Sequence, residues 1–266
     1  MLHSGNSGFS AGGSSQRLSV WAQAAYNHIN FDDSLLPYKG HFTNGGVGAD
    51  YLFRHNLIGG VSLGYENDDI TTTFNNGTLK TDGYTVAPYV ALRINRFLVA
   101  TLTGGYTWLS TDMTRTGGAV TGSYNGHRLF GAASLIGTYW MNRWMVGGSL
   151  GYLYSRESDD SYTESAGSTV GSHTASIGQG RAGVKLGYSL GSIMPYVTGR
   201  VEHDFTSPGD AIINGQSVGT GKTGYVIGGG LAFGSGNITG GIEATSTEGR
   251  DHLTQYGVTG TVRVSF

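Results

Sequence analysis

Apolar and polar residues alternate with a period of two along most of this chain, most plainly in its last segment. There Tyr256, Val258, Gly260, Val262, Val264 and Phe266 share one parity, and Gln255, Gly257, Thr259, Thr261, Arg263 and Ser265 share the other. Successive side chains of a strand point to opposite faces, so this segment is a strand with one apolar and one polar face. Ile193, Pro195, Val197, Gly199, Val201 and Phe205 oppose Tyr196, Thr198, Arg200, Glu202 and Asp204 in the same way, with His203 a polar residue on the apolar side. Ala182, Val184, Leu186, Tyr188 and Leu190 oppose Arg181, Gly183, Lys185 and Ser189.

The pattern lays strands almost end to end, over 18–31, 41–54, 56–70, 79–94, 96–111, 122–141, 143–157, 172–190, 193–206, 222–234, 237–249 and 252–266. No capping box opens a 3.6-residue period. Short turns fall near 54–56, 95–96, 142–143, 191–192 and 235–236. Long polar loops fall near 32–40, 71–78, 112–121, 158–171 and 207–221, with a shorter one near 249–252. Short and long connections alternate strictly. An even number of antiparallel strands joined this way is the layout of a bacterial outer-membrane barrel, with short turns periplasmic and long loops outside. The expectation is an all-β fold, a 12-stranded antiparallel transmembrane β-barrel with both termini periplasmic.

Aromatic residues gather towards the strand ends. Tyr51, Phe53, Phe97, Tyr139, Trp140, Trp144, Tyr188, Phe233 and Phe266 lie near the short turns. Tyr26, Phe31, Tyr65, Tyr84, Trp108, Tyr152, Phe205, Tyr225 and Tyr256 lie near the long loops. Two such belts match the two interfaces of a membrane, whereas a β-sandwich would place its aromatics mid-strand.

Composition agrees. Glycine supplies 47 of 266 residues, and hydrophobic residues only 38%, too few to fill the core of a soluble domain of this size. A wide barrel has no such core to fill, because its inner face is polar. No apolar run approaches the length of a transmembrane helix. The net charge of −2 gives nucleic acid no electrostatic foothold. Without cysteine there is neither disulfide nor thiolate metal site. Met1 does not open an export signal, so the signal is expected to have been removed, or Met1 to open a fragment of something longer.

Val20-Trp21-Ala22-Gln23, Gly45-Gly46-Val47-Gly48-Ala49-Asp50-Tyr51, Gly59-Gly60-Val61-Ser62-Leu63-Gly64-Tyr65, Asp82-Gly83-Tyr84 and Tyr89, and the ending Val262-Arg263-Val264-Ser265-Phe266, follow one another in order. Together they resemble the translocator (β-barrel) domain of classical monomeric autotransporters, the type V secretion family. The resemblance covers residues 18–266. It implies a monomeric, cofactor-free domain that exports and anchors an N-terminal passenger, with a helical linker threaded through its pore. Residues 1–17 are Gly/Ser-rich and too short for that helix, so they are expected to be a residual linker ahead of the barrel. Implied partners are outer-membrane lipid and lipopolysaccharide, the outer-membrane assembly machinery, and the passenger and linker themselves.

Parity points Arg93, Arg181, Lys185, Arg200, Glu202, Asp204, Glu243 and Arg263 into the lumen. There they either contact a linker and bias ion flow, or brace the wall as a paired network. Tyr256, Val258, Val262, Val264 and Phe266 form the terminal strand, which resembles the signal read by the assembly machinery; an unpaired edge suits recognition by strand addition.

Other chemistry fails on geometry. Gly178-Gln179-Gly180-Arg181-Ala182-Gly183 spells a dinucleotide fingerprint but lacks the following helix that makes the phosphate site. An omptin-like protease would need His203 and Asp204 to cooperate, yet adjacent strand residues face opposite ways. Acidic pairs at the strand tops (Asp32-Asp33, Asp68-Asp69, Asp159-Asp160) fit loop solvation or cation bridges to lipopolysaccharide. The sequence therefore points away from an enzyme; a 12-stranded channel for small solutes is the remaining alternative.

Overall fold

In a computed structural model, which describes residues 17–206, 211–213 and 216–266, the chain closes into one barrel of twelve antiparallel strands. The strands are β1 (Leu18–Phe31), β2 (Tyr38–Arg54), β3 (Leu57–Thr72), β4 (Gly77–Arg93), β5 (Leu98–Arg115) and β6 (Val120–Met141). They continue as β7 (Trp144–Asp159), β8 (His173–Tyr188), β9 (Ile193–Thr206), β10 (Thr223–Ser235), β11 (Ile238–Arg250) and β12 (Leu253–Ser265). Each pairs with its neighbour in sequence, and β1 closes the ring on β12 from Ser19↔Ser265 to Phe31↔Leu253. Closure leaves no free barrel edge, as a sheet immersed in lipid requires.

Two-residue turns join β2–β3, β6–β7 and β10–β11. Asn142 (φ 55°) and Gly236 (φ 59°) occupy the left-handed region that tight hairpins demand. The barrel is inside out relative to a soluble domain. Leu63, Leu150, Val184 and Val197 are more than half exposed on its outer face, while Asp50, Gln179 and Asp204 are each 4% exposed on its inner one. An apolar exterior of this kind needs hydrocarbon around it.

At the long-loop end the expected boundaries shift. β2 starts at Tyr38 rather than 41, where Tyr38 stacks on Phe31 with centroids 5.0 Å apart. The loop expected at 112–121 is mostly strand, because β5 and β6 run on to a tight turn at 116–119. Above the membrane both faces of a strand are wet, so the alternation that marks strands fades there. A 3₁₀ turn, Thr73–Asn75, occupies part of the 71–78 loop, and Tyr162–Thr163 pairs with Thr169–Val170 within the 158–171 loop.

Two belt assignments need correction. Phe31 is 3% exposed and shares its face with Ile29 and Asn27, so it packs inside the mouth rather than meeting lipid. Trp140 pairs directly with Met145, which is 5% exposed, so Trp140 belongs to the inner parity at the opposite mouth. Parity decides both, and position near a strand end does not reveal it. Several glycines make room for rings. A Cβ on Gly48 would lie 2.5 Å from Trp21 Cε2, and one on Gly60 2.6 Å from Tyr89 Cζ.

Candidate functional site

Among the described residues, charged side chains of the inner wall gather in three groups. The first is a strap. Arg128 on β6 faces Thr107 on β5, which faces Thr85 on β4. Thr107 is fully buried, and its Oγ1 lies 2.8 Å from that of Thr85. Over these threonines the Arg128 guanidinium extends to β3, where Nη1 donates to Glu66 Oε1 at 2.6 Å, while Nε donates to Glu157 Oε2 on β7 at 2.7 Å. Glu66 leans across Gly83, where a Cβ would come within 2.6 Å of Glu66 Cγ. One arginine thus ties β3, β6 and β7 over β4 and β5.

The second group lies on β8, β9 and β11. Arg200 Nε donates to Glu202 Oε1 at 2.9 Å, and Arg181 Nε stands 3.6 Å from the same oxygen while donating to Gln179 Oε1 at 2.6 Å. Gln179 Nε2 donates to Asp204 Oδ1 at 2.7 Å, and Arg250 Nη1 donates to Asp204 Oδ2 at 2.7 Å from two strands away. Lys185 Nζ sits 3.4 Å over the Tyr196 ring, with Glu243 in Coulombic reach.

The third group crosses the closure of the barrel. Arg263 on β12 reaches over β1 to Asp50 on β2, with Nη1 to Oδ1 at 3.0 Å and Nη2 to Oδ2 at 2.9 Å. Tyr89 on β4 donates to Asp50 Oδ2 at 2.8 Å and accepts from Trp21 Nε1 at 2.6 Å. Bidentate arginine–carboxylate pairing is the strong, directional form of ion pair, and here it spans the seam between the first and last strands.

Of the residues singled out by parity, Arg181, Lys185, Arg200, Glu202, Asp204, Glu243 and Arg263 take part in these groups. Arg93 shares the inner parity but stands exposed at the short-turn rim, with no ion pair among the described residues. Asp50, Glu66, Asp68, Arg128, Glu157 and Asp159 carry the same inner parity and were legible by the same rule. Arg250 was not. The β11–β12 register slips between Thr247 and Arg250, with Gly249 at φ 76°, which turns Arg250 inward against its parity. His203 faces outward, bonded to Thr223 Oγ1 at 2.8 Å, while Asp204 faces inward. No hydrogen bond orients one by the other. The terminal residues Tyr256, Val258, Val262 and Phe266 are exposed on the outer face, alternating with Gln255, Gly257 and Ser265 inside.

Against known proteins, a family model described as the autotransporter β-domain matches residues 20–251. The chain belongs to this family. It is an autotransporter translocator domain, an integral barrel of the outer membrane. Solved translocator domains share its fold. That of NalP from Neisseria meningitidis superposes with a TM-score of 0.78 at 19% identity, covering 94% of this chain and 88% of the other. The β-domain of the Bordetella autotransporter BrkA gives 0.78 at 18% identity, covering 94% and 100%. The transport unit of AIDA-I from Escherichia coli gives 0.72 at 14% identity, covering 97% and 92%. Among curated proteins, no sequence matches this chain.

Proposed function

We propose that this translocator domain passes an N-terminal passenger outward through its lumen and then holds it at the cell surface, with the short turns and both termini in the periplasm. The observation that carries this reading is where the barrel begins. Arg17 C=O accepts from Leu52 N–H at 2.8 Å, and Leu18 exchanges backbone hydrogen bonds with Phe266, all at the short-turn mouth. A polypeptide preceding Leu18 therefore meets the barrel at that mouth, and the lumen offers it a charged, water-compatible path to the other side. Residues 1–17 would be the remnant of the linker and 18–266 the barrel; of the former, residues 1–16 lie outside the described residues.

In this reading Arg93, Arg181, Lys185, Arg200, Glu202, Asp204, Glu243 and Arg263 face the passing or resident linker. Tyr256, Val258, Val262, Val264 and Phe266 are the edge the assembly machinery reads before β12 pairs with β1. Lipopolysaccharide meets the acidic strand tops, and the domain works as a monomer without cofactor or catalytic step.

The test places an epitope-tagged segment of some tens of residues ahead of Leu18, behind an export signal. Added protease should remove the tag from intact cells while a periplasmic control survives. A barrel that assembles with its tag kept in the periplasm would refute export and leave a solute channel as the better account.

A further inference from the structure

Among the described residues the short-turn rim is cationic, and its arginines stand outside every ion pair. Arg17 ends the approach to β1, Arg54 closes β2, Arg96 lies in the β4–β5 turn and Arg143 in the β6–β7 turn; all are exposed. Among the described residues none of the four has a carboxylate within ion-pair distance. The acid nearest to any of them in sequence is Asp50, already engaged by Arg263 and Tyr89. The turns after β8 and β10 carry no charge, so the cations form an arc over β1–β7 only. All four are arginine, whose planar fork matches a phosphate, whereas lysine is absent from this rim.

The arc also sits at a defined depth. Arg96 Cζ lies 4.4 Å from the Phe97 ring centroid, and Phe97 packs on Tyr139 at 5.5 Å. Arg143 follows directly before Trp144, which packs on Tyr188 at 4.9 Å. Interfacial aromatics occupy the head-group level of a bilayer, so these guanidinium groups stand beside the belt where lipid phosphates lie.

We propose that this rim binds the phosphate head groups of anionic phospholipids in the leaflet that the short turns enter. Its placement in the periplasmic leaflet rests on the orientation proposed above; the binding itself does not. At the opposite end carboxylates outnumber cations, so the charge complement to anionic lipid exists at one rim alone.

The test reconstitutes the barrel, with Trp108→Phe removing the one belt tryptophan at the other end, into vesicles of phosphatidylcholine mixed with brominated phosphatidylglycerol or brominated phosphatidylcholine. Quenching of Trp144, the tryptophan that faces outward at this rim, reports which lipid occupies it, since Trp21 and Trp140 carry the inner parity. The expected preference for the anionic lipid is about fivefold per arginine that meets a head group, and it should shrink in high salt. R17Q/R54Q/R96Q/R143Q should bring the ratio near unity, while K39Q/K80Q/R156Q at the other end should leave it unchanged. Heat-dependent gel mobility verifies that each variant is folded. A wild-type ratio of one, a ratio insensitive to salt, or an equal fall in the control variant would overturn the proposal. Export is not measured in vesicles, so this inference can fail while the tag still reaches the cell surface.

Discussion

Arg128 on β6 and Glu66 on β3 meet at 2.6 Å across two intervening strands, over a pair of threonines with almost no exposure. The arginine side chain is 13% exposed and also holds Glu157, so three strands depend on one guanidinium. Replacing it strands two inward carboxylates that lie close to Asp68 on the same face. R128A should therefore destabilise the folded barrel by about 3–5 kcal/mol, as loss of one partner from a buried pair does. The loss should appear as a lower urea midpoint, read by heat-dependent gel mobility. Glu66→Gln keeps a hydrogen-bond acceptor for Arg128 and should cost less.

Arg263 and Asp50 bind across β1, which makes the pair a direct measure of seam closure. Asp50→Asn and Arg263→Gln should each lower stability. A double-mutant cycle should return a coupling of roughly 0.5–3 kcal/mol, because the residues share one buried contact. Additive effects would mean that the bond pattern of β1 with β12 closes the barrel without help from this clamp.

Two inner-wall and outer-wall glycines should respond in opposite ways to the same substitution. At Gly60 an added Cβ would approach Ala49 O and Tyr89 Cζ to 2.6 Å each, so Gly60→Ala should cost roughly 1–3 kcal/mol. At Gly148 nothing lies within 4 Å of the added carbon and φ is not positive. Gly148→Ala should be neutral, or stabilising by about 0.4–1 kcal/mol through the unfolded chain. Paired urea titrations check the contrast.

The lumen charges can be read electrically. Lys185→Gln with Arg200→Gln removes two positive charges from a wall whose carboxylates, among them Glu202 and Glu243, remain. Under a salt gradient across a planar bilayer, the reversal potential of the double variant should move toward cation preference. A shift toward anions, or none, would place these side chains away from the conducting path.

Period-two alternation and the strict alternation of short and long connections were enough to specify twelve strands, a polar interior and an apolar exterior. Lipid and water on the two faces of one wall leave their mark on every second residue, so a local rule carries the architecture. The strand tops escaped that rule. Above the membrane both faces meet water, and β5 and β6 continue through a segment whose polarity resembles a loop. Phe31 and Trp140 escaped a belt assignment drawn from position, although their parity already placed them inside.

What the chain order alone could not supply is which inward charges meet. Arg128 and Glu66 are 62 residues apart and Arg263 and Asp50 are 213 apart. Parity shows that all four face the lumen, but partners are chosen by strand stagger and by the reach of a side chain across one or two neighbours. Arg250 carries the point further, since a register slip beside Gly249 turns it against its parity toward Asp204. The sequence by itself determined the wall and its two faces, because those depend on each residue's own solvent. Only the tertiary structure decided the bracing, because it depends on how the ring closes and how far each strand is displaced along its neighbour.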